Sequence, residues 1–222
     1  MKILLVYWHP EDRSFNAAMR DTAIQALQEA GHEVRVSDLR SMNFDPVSDR
    51  RNFTSVKDAA YFKQQIEELH ATEADGFAME IAAEQEKLEW CELMIWQFPL
   101  WWFGLPAVVK GWVDRVFAMG KTYGHGRFYA DGFFAGKRAM LSLTTGGPEE
   151  AYLSGGFNGD IMGILRPIHR GVLEFTGFSV LAPQIVYSAA HLEEEQRQYA
   201  LHKYAERLSA LTKEQPIEVG SY

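Results

Sequence analysis

The chain alternates between short, densely apolar runs and longer stretches in which apolar residues recur every third or fourth position. Residues 2–8 (KILLVYW), 91–97 (CELMIWQ), 137–143 (KRAMLSL) and 178–187 (FSVLAPQIVY) are of the first kind, and 33–38 (EVRVSD) alternates. Such runs predict strands, the continuous ones buried on both faces. The second kind covers 15–30, an Ala-rich stretch closed by Gly31, and then 56–70, 78–90, 106–118, 161–176 and 193–211. Pro106 suits a first helical turn, and Val108, Val109, Trp112, Val113 and Val116 follow at helical spacing. Ser14 and Asp160 stand where helix caps belong, and Pro167 interrupts the helix that Asp160 opens. The break at 71–77, with Gly76, reads as a surface connection, and the tail from Pro216 as frayed.

Strands that alternate with helices imply a parallel sheet covered on both faces. No glycine-rich fingerprint follows the first strand, which disfavours a Rossmann dinucleotide fold. Five strands without it favour the flavodoxin-like order 2-1-3-4-5, an α/β three-layer sandwich with a five-stranded parallel sheet. With 222 residues the chain is expected to form one domain, residues 1–222.

Charge and composition narrow the partners. The net charge is −8 with no basic block, which argues against nucleic acid. No apolar run reaches the roughly 18 residues a membrane helix needs, and the start of the chain lacks a signal-peptide pattern. The single Cys91 is expected to pack as a small buried residue at a strand start, and cytoplasmic residence fits. The seven histidines are scattered without metal-ligand spacing, so no metal site is expected.

The topology brings three loops to the carboxyl edge of the sheet: 9–16, 98–104 and 144–152. The first precedes a helix whose N-terminus offers free N–H groups and a positive dipole end, with Arg13 beside it. The second holds Trp101, Trp102 and Phe103, and the third the run Thr144-Thr145-Gly146-Gly147. A flat heteroaromatic with a phosphate tail fits that combination, FMN or FAD first among them. Each part also has a plainer reading. The aromatics suit an oligomer contact equally well, the helix can be an ordinary capped one, and Thr144 to Gly147 can be a simple strand-ending turn. Residues 119–134 (MGKTYGHGRFYADGFF) form a long aperiodic loop of the sort that serves function or a partner.

His9-Pro10 with Ser14-Phe15-Asn16, the run FPLWWFGLPAVVKGW, LTTGG followed by Tyr152 and Gly159-Asp160, and Leu181-Ala182-Pro183-Gln184 through Arg197 resemble the NAD(P)H:quinone oxidoreductase family, of the flavodoxin-like DT-diaphorase type. The resemblance spans nearly the whole chain. It implies two-electron hydride transfer from NADH or NADPH through a bound flavin to quinones, with ping-pong kinetics, in homodimers with shared active sites. On the matching positions it implies that His9, Ser14, Phe15 and Asn16 hold the ribityl and pyrophosphate of FAD. Pro99, Leu100, Trp102 and Phe103 would line the ring, with Trp101 in the same wall and Thr144, Thr145, Gly146 and Gly147 along the polar edge. Arg197 and Leu201 would lie near the adenosine, and Tyr152 at the hydride-transfer site. Tyr123, His125 and Phe128 match the loop that closes the substrate pocket from the partner subunit, and Phe175 matches an aromatic of that pocket, where Trp102 and Phe103 would also meet substrate.

Two departures stand out. Asn158 occupies the place of the catalytic histidine of the mammalian members, and the C-terminal extension of the longest members is absent, which keeps FMN open beside FAD. Two competing expectations are an ancillary flavin-binding subunit of a potassium-efflux transporter and a flavodoxin-like electron carrier. The long closing loop argues for a small-molecule substrate instead.

Overall fold

The computed structural model describes residues 1–220. Its strands are β1 (Lys2–Tyr7), β2 (Glu33–Asp38), β3 (Leu93–Pro99), β4 (Arg138–Thr144), β5 (Ser179–Val180) and β6 (Gln184–Val186). Its helices are α1 (Phe15–Glu29), α2 (Gln64–Ala74), α3 (Met79–Trp90), α4 (Ala107–Val116), α5 (Ile161–Ile168) and α6 (Glu194–Ser209). The strands pair in parallel in the order β2-β1-β3-β4-β5, with β6 also on β4, so the flavodoxin-like order holds.

Side chains of successive strand residues point to opposite faces, and the register sorts them into two cores. Ile3, Leu5, Leu93, Ile95 and Met140 face α1 and α6, where Met19, Leu27, Tyr204 and Leu208 cover them. Leu4, Val6, Met94, Trp96 and Leu141 face the other side, against Ile81, Leu88, Trp112, Val116 and Leu165. Trp96 and Trp112 meet edge to face at 6.0 Å, and the Trp112 indole N–H donates to the buried Glu84 carboxylate at 2.8 Å. Cys91 is buried as expected, and burial pushes its thiol up to about 11.

The predicted last strand, 178–187, is in fact two, and the sheet has six strands rather than five. Leu181 still donates to Ala139 O at 2.8 Å, but Pro183 has no N–H to continue the ladder, and pairing resumes at Gln184 beside Ser142. Helix α2 starts at Gln64 and not near 56. The Glu67 carboxylate accepts from the Lys57 and Asp58 amides, and Asp58 from Ala60 and Tyr61, so these N–H groups are taken by side chains before a helix can use them. The 71–77 connection is only partly a surface one: Ala71 to Ala74 still belong to α2 and Glu73, Ala74 and Asp75 are exposed, but Phe77 is buried and bridged to Phe53, with the Gly76 carbonyl accepting from Thr54. Past Pro167 the expected interruption takes the form of a wider π-helical turn over His169–Glu174. The tail is held down as well. Ile217 donates to Val180 O at 2.8 Å and Val219 joins the core, which covers the β5 edge.

Candidate functional site

The carboxyl ends of β1, β3 and β4 open onto one cleft of about 440 Å³. Its phosphate-binding side is built by α1. Ser14 caps the helix, its Oγ accepting from Ala17 N at 3.1 Å. The N–H groups of Phe15 and Asn16 then face outward without a helical partner, at the positive end of a 15-residue helix. Arg197 of α6 lines the same side, its Nε anchored on Leu192 O at 2.9 Å. His9 stands beside it. Its Nδ1 lies 3.0 Å from Glu11 N and 3.1 Å from Glu11 O, and burial holds its pKa below the ordinary imidazole value.

The floor is a chain of amide contacts that ties the three loops together. Gln97 Nε2 donates to Asn16 Oδ1 at 2.8 Å, and Asn16 Nδ2 donates to Thr144 Oγ1 at 2.8 Å. Thr145 Oγ1 donates to Gly147 O at 2.8 Å, which folds the strand end back. A Cβ on Gly146 would meet nothing, so that glycine leaves the backbone open to the cleft, whereas one on Gly147 would sit 3.2 Å from the Tyr152 ring and 3.5 Å from Asn158 Nδ2. Tyr152 and Asn158 therefore both lie against Gly147. Tyr152 is buried and packs at 5.8 Å on Tyr187, whose phenol is raised by burial and then by Glu149, Asp160 and Tyr152.

Pro99, Leu100 and Trp101 make the wall, with Trp101 set edge-on to Trp8 at 5.2 Å. Beyond it the chain reverses in a tight turn in which Trp101 N donates to Gly104 O at 3.2 Å and Gly104 N to Trp101 O at 2.9 Å. The two central residues take left-handed backbone angles, φ 51 at Trp102 and φ 57 at Phe103. Bulky side chains avoid that region, at a cost of order 1–3 kcal/mol each. The turn holds Trp102 99% exposed and Phe103 51% exposed, and Phe157 of the neighbouring loop is 96% exposed.

The structure thus gathers His9, Ser14, Phe15, Asn16, Pro99, Leu100, Trp101, Thr144, Thr145, Gly146 and Arg197 around one cleft. Gly147, Tyr152 and Asn158 stand behind its glycine edge, Trp102 and Phe103 project beyond its wall, and Leu201 lines an adjoining hollow of about 190 Å³ with Arg13 and Arg197. Tyr123, His125, Phe128 and Phe175 are not at the cleft of their own chain. Phe175 gathers Phe128 at 4.9 Å and Tyr123 at 6.1 Å, Tyr123 Oη donates to Glu68 Oε2 at 3.2 Å, and His125 is an exposed loop residue. Gln97, Ala189 and Ala190 belong to the site and escaped sequence reasoning. A lone glutamine in the apolar run LMIWQFP is a usable signal; the alanines carry none. A larger groove of about 780 Å³ runs between Gln184 and Lys203 along β6 and α6, but the first turn of α6 that borders it carries Glu194 and Glu195, which disfavours a phosphate there, and no glycine lines it.

Among the described residues no group of His, Cys, Asp or Glu could hold a metal ion, and no helix is long and apolar enough to cross a membrane. Residues 1–211 match the family model for the flavodoxin-like fold. The chain is 43% identical to ribosyldihydronicotinamide dehydrogenase [quinone] of Rattus norvegicus over 97% of its length and 94% of the relative's. It is 42% identical to NAD(P)H dehydrogenase [quinone] 1 of the same species, over 97% of its own length and 79% of that protein. Among solved structures, a Klebsiella pneumoniae protein described as a candidate quinone reductase superposes with a TM-score of 0.94 at 42% identity, covering 98% of this chain and 87% of that one. The chain belongs to the flavodoxin-like family of NAD(P)H:quinone oxidoreductases.

Proposed function

We propose that the protein is a flavin-dependent oxidoreductase that passes two electrons from NADH or NADPH to a quinone. One observation carries this: a capped helix N-terminus, an aromatic wall and a glycine edge converge on a single cleft in a chain more than 40% identical to named quinone dehydrogenases. The donor set fits a flavin. The Phe15 and Asn16 amides, Ser14 and Arg197 offer hydrogen bonds and positive charge to phosphate, Pro99, Leu100 and Trp101 offer a flat face, and the open Gly146 backbone lets a ring edge approach. We infer FAD rather than FMN because the Arg13–Leu201 hollow extends the phosphate side far enough to take an adenosine.

A flavin held by Ser14, Asn16, Arg197 and the Pro99–Trp101 wall would supply the two-electron chemistry between nicotinamide and quinone. The chain's own task is to bind, orient and balance charge. The Gly146 and Gly147 amides and the Tyr152 hydroxyl can donate to negative charge as it develops, fixed beforehand by the Thr145–Gly147 turn. The Tyr152 hydroxyl and Asn158 Nδ2 can each donate a hydrogen bond, but the Asn158 amide cannot take up a proton as a histidine would.

We further propose a cytoplasmic homodimer with active sites completed across the interface. The projecting Trp102, Phe103 and Phe157, and a Tyr123–Phe128–Phe175 cluster remote from its own cleft, support that reading. The test is the purified protein's visible spectrum and cofactor mass, followed by turnover of 1,4-benzoquinone with NADH, NADPH and reduced nicotinamide riboside, since the relatives' names divide over the donor. A colourless protein that takes up neither flavin would refute the proposal.

A further inference from the structure

Gln97 is fully buried at the carboxyl end of β3, beneath the cleft and not in it. Its amide Nε2 lies 2.8 Å from Asn16 Oδ1 and 3.7 Å from Met19 Sδ. Asn16 could present either amide atom, but a thioether accepts a weak hydrogen bond and offers nothing to a carbonyl, so Met19 selects the orientation with nitrogen toward α1, which leaves Gln97 Oε1 buried without a partner among the described residues. Asn16 must then present Oδ1 to Gln97 and Nδ2 to Thr144. Thr144 Oγ1 is thereby committed as an acceptor, and its hydroxyl hydrogen has no acceptor among the described residues. Thr144 lines the cleft, so that hydrogen is available there.

We propose that Gln97 is a positioning residue that sets the hydrogen-bond polarity of the cleft floor: acting through Asn16, it turns the Thr144 hydroxyl into a donor, so the ring bound there must present an acceptor atom and not an N–H. The inference rests on the flavin reading and says which kind of edge the flavin turns toward β4. The chain of contacts is directional, and reversing its first member should reverse its last. In Gln97→Glu the carboxylate can only accept. Asn16 then rotates to donate to it, Thr144 donates to Asn16 Oδ1, and only lone pairs face the cleft. A buried glutamate has a raised pKa, and once protonated its O–H can donate as the glutamine does. The titratable groups buried against this face are Tyr7 of β1, with Arg20 of α1 4.5 Å above its ring, and Tyr204 of α6, near Arg207. Burial holds the Tyr7 phenol above its ordinary 10 and Tyr204 up to about 12, so neither changes charge between pH 5.5 and 8.5. His9 at the cleft and the side chains on the outer faces of α1 and α6 are the same in every variant, so each effect is read against wild type at the same pH.

The experiment compares full-length wild type, Gln97→Glu, Thr144→Val and Thr144→Ser by FAD titration of the flavin-stripped protein and by the visible spectrum of the bound flavin, from pH 5.5 to 8.5. One lost donor is expected to weaken FAD binding on the order of tenfold in Thr144→Val at every pH, and in Gln97→Glu at pH 8.5 with recovery at pH 5.5. Thr144→Ser is expected to restore affinity and spectrum together, which a loss of packing alone would not allow. If Thr144→Val binds FAD as tightly as wild type with an unchanged spectrum, the polarity assignment is overturned whether or not Gln97→Glu folds. A Gln97→Glu protein whose affinity is pH-independent overturns it too. Wild type that takes up no flavin overturns the underlying reading as well, and so separates the two failures.

Discussion

Tyr152 and Asn158 meet at Gly147, and they divide the work that a titrating pair would share. Removing the tyrosine hydroxyl in Tyr152→Phe should slow flavin reduction by NAD(P)H about tenfold to a hundredfold, less than the full worth of an oxyanion donor because water can take its place. Stopped-flow bleaching of the flavin band measures it. Asn158→His should bring a new ionisation near the free imidazole value of about 6.5 into that same step, and Asn158→Ala should change the rate without one. If wild type already shows an ionisation there that vanishes in Asn158→Ala, position 158 governs a titrating group elsewhere and the division of labour proposed for Tyr152 is wrong. His169 shows what burial does to such a group. It is 0% exposed, neither ring nitrogen has a partner among the described residues, and burial pushes its pKa down to about 4. Below pH 6.5 the unfolded chain binds a proton that the folded chain refuses, so stability falls as pH drops from 6.5 toward 4 and is unaffected above. The loss reaches about 3 kcal/mol at the lower limit, from 1.36 kcal/mol per unit of depression. His169→Leu should flatten that slope in denaturant titrations at pH 4.5, 5.5 and 7; an unchanged slope would show that other groups carry the acid lability.

Elements position these residues, and small features at their ends decide whether they can. Ser14→Ala removes the α1 cap and should cost about 1 kcal/mol of stability in urea unfolding, with weaker flavin retention because the same helix end faces the phosphate side. Gly111 sits inside α4, where glycine is a poor helix former, because a Cβ there would come within 2.4 Å of Pro46 backbone atoms. Gly111→Ala should therefore destabilise by at least 1–3 kcal/mol, the usual range for overpacking, although alanine has the higher helix propensity. A thermal midpoint equal to wild type would contradict that close approach. The Trp101–Gly104 turn runs the other way. Two aromatic residues are kept at positive φ and left exposed, an arrangement the isolated chain gains nothing from.

For the whole molecule that cost makes sense if a second copy covers the turn. Apolar area removed from water contributes roughly 25 cal/mol per Å², and Trp102, Phe103 and Phe157 are the large rings available for it. The wild type is expected to sediment as a dimer at micromolar concentration, and the Trp102→Ser, Phe157→Ser double variant as a folded monomer with little quinone turnover. A wild-type monomer with full turnover would end the shared-site reading.

Local pattern was enough for the strand order, because five apolar runs separated by helical periods leave few parallel topologies, and Ser14, Gly31 and Asp160 act within their own turns. It was enough, too, for the three loops, since their place follows from where each strand ends. Where side chains compete with backbone over distance, pattern failed. Glu67 captures the amides of residues 57 and 58, ten and nine positions away, and a helix predicted from 56 does not start before 64. The tail from Pro216 looked free because its partner, Val180, lies far back along the chain. The Gln97–Asn16–Thr144 floor joins residues up to 128 positions apart and exists only once β1, β3 and β4 lie side by side. Chemistry that one segment can satisfy alone is written in that segment; hydrogen bonds that need a partner from elsewhere are decided by the fold.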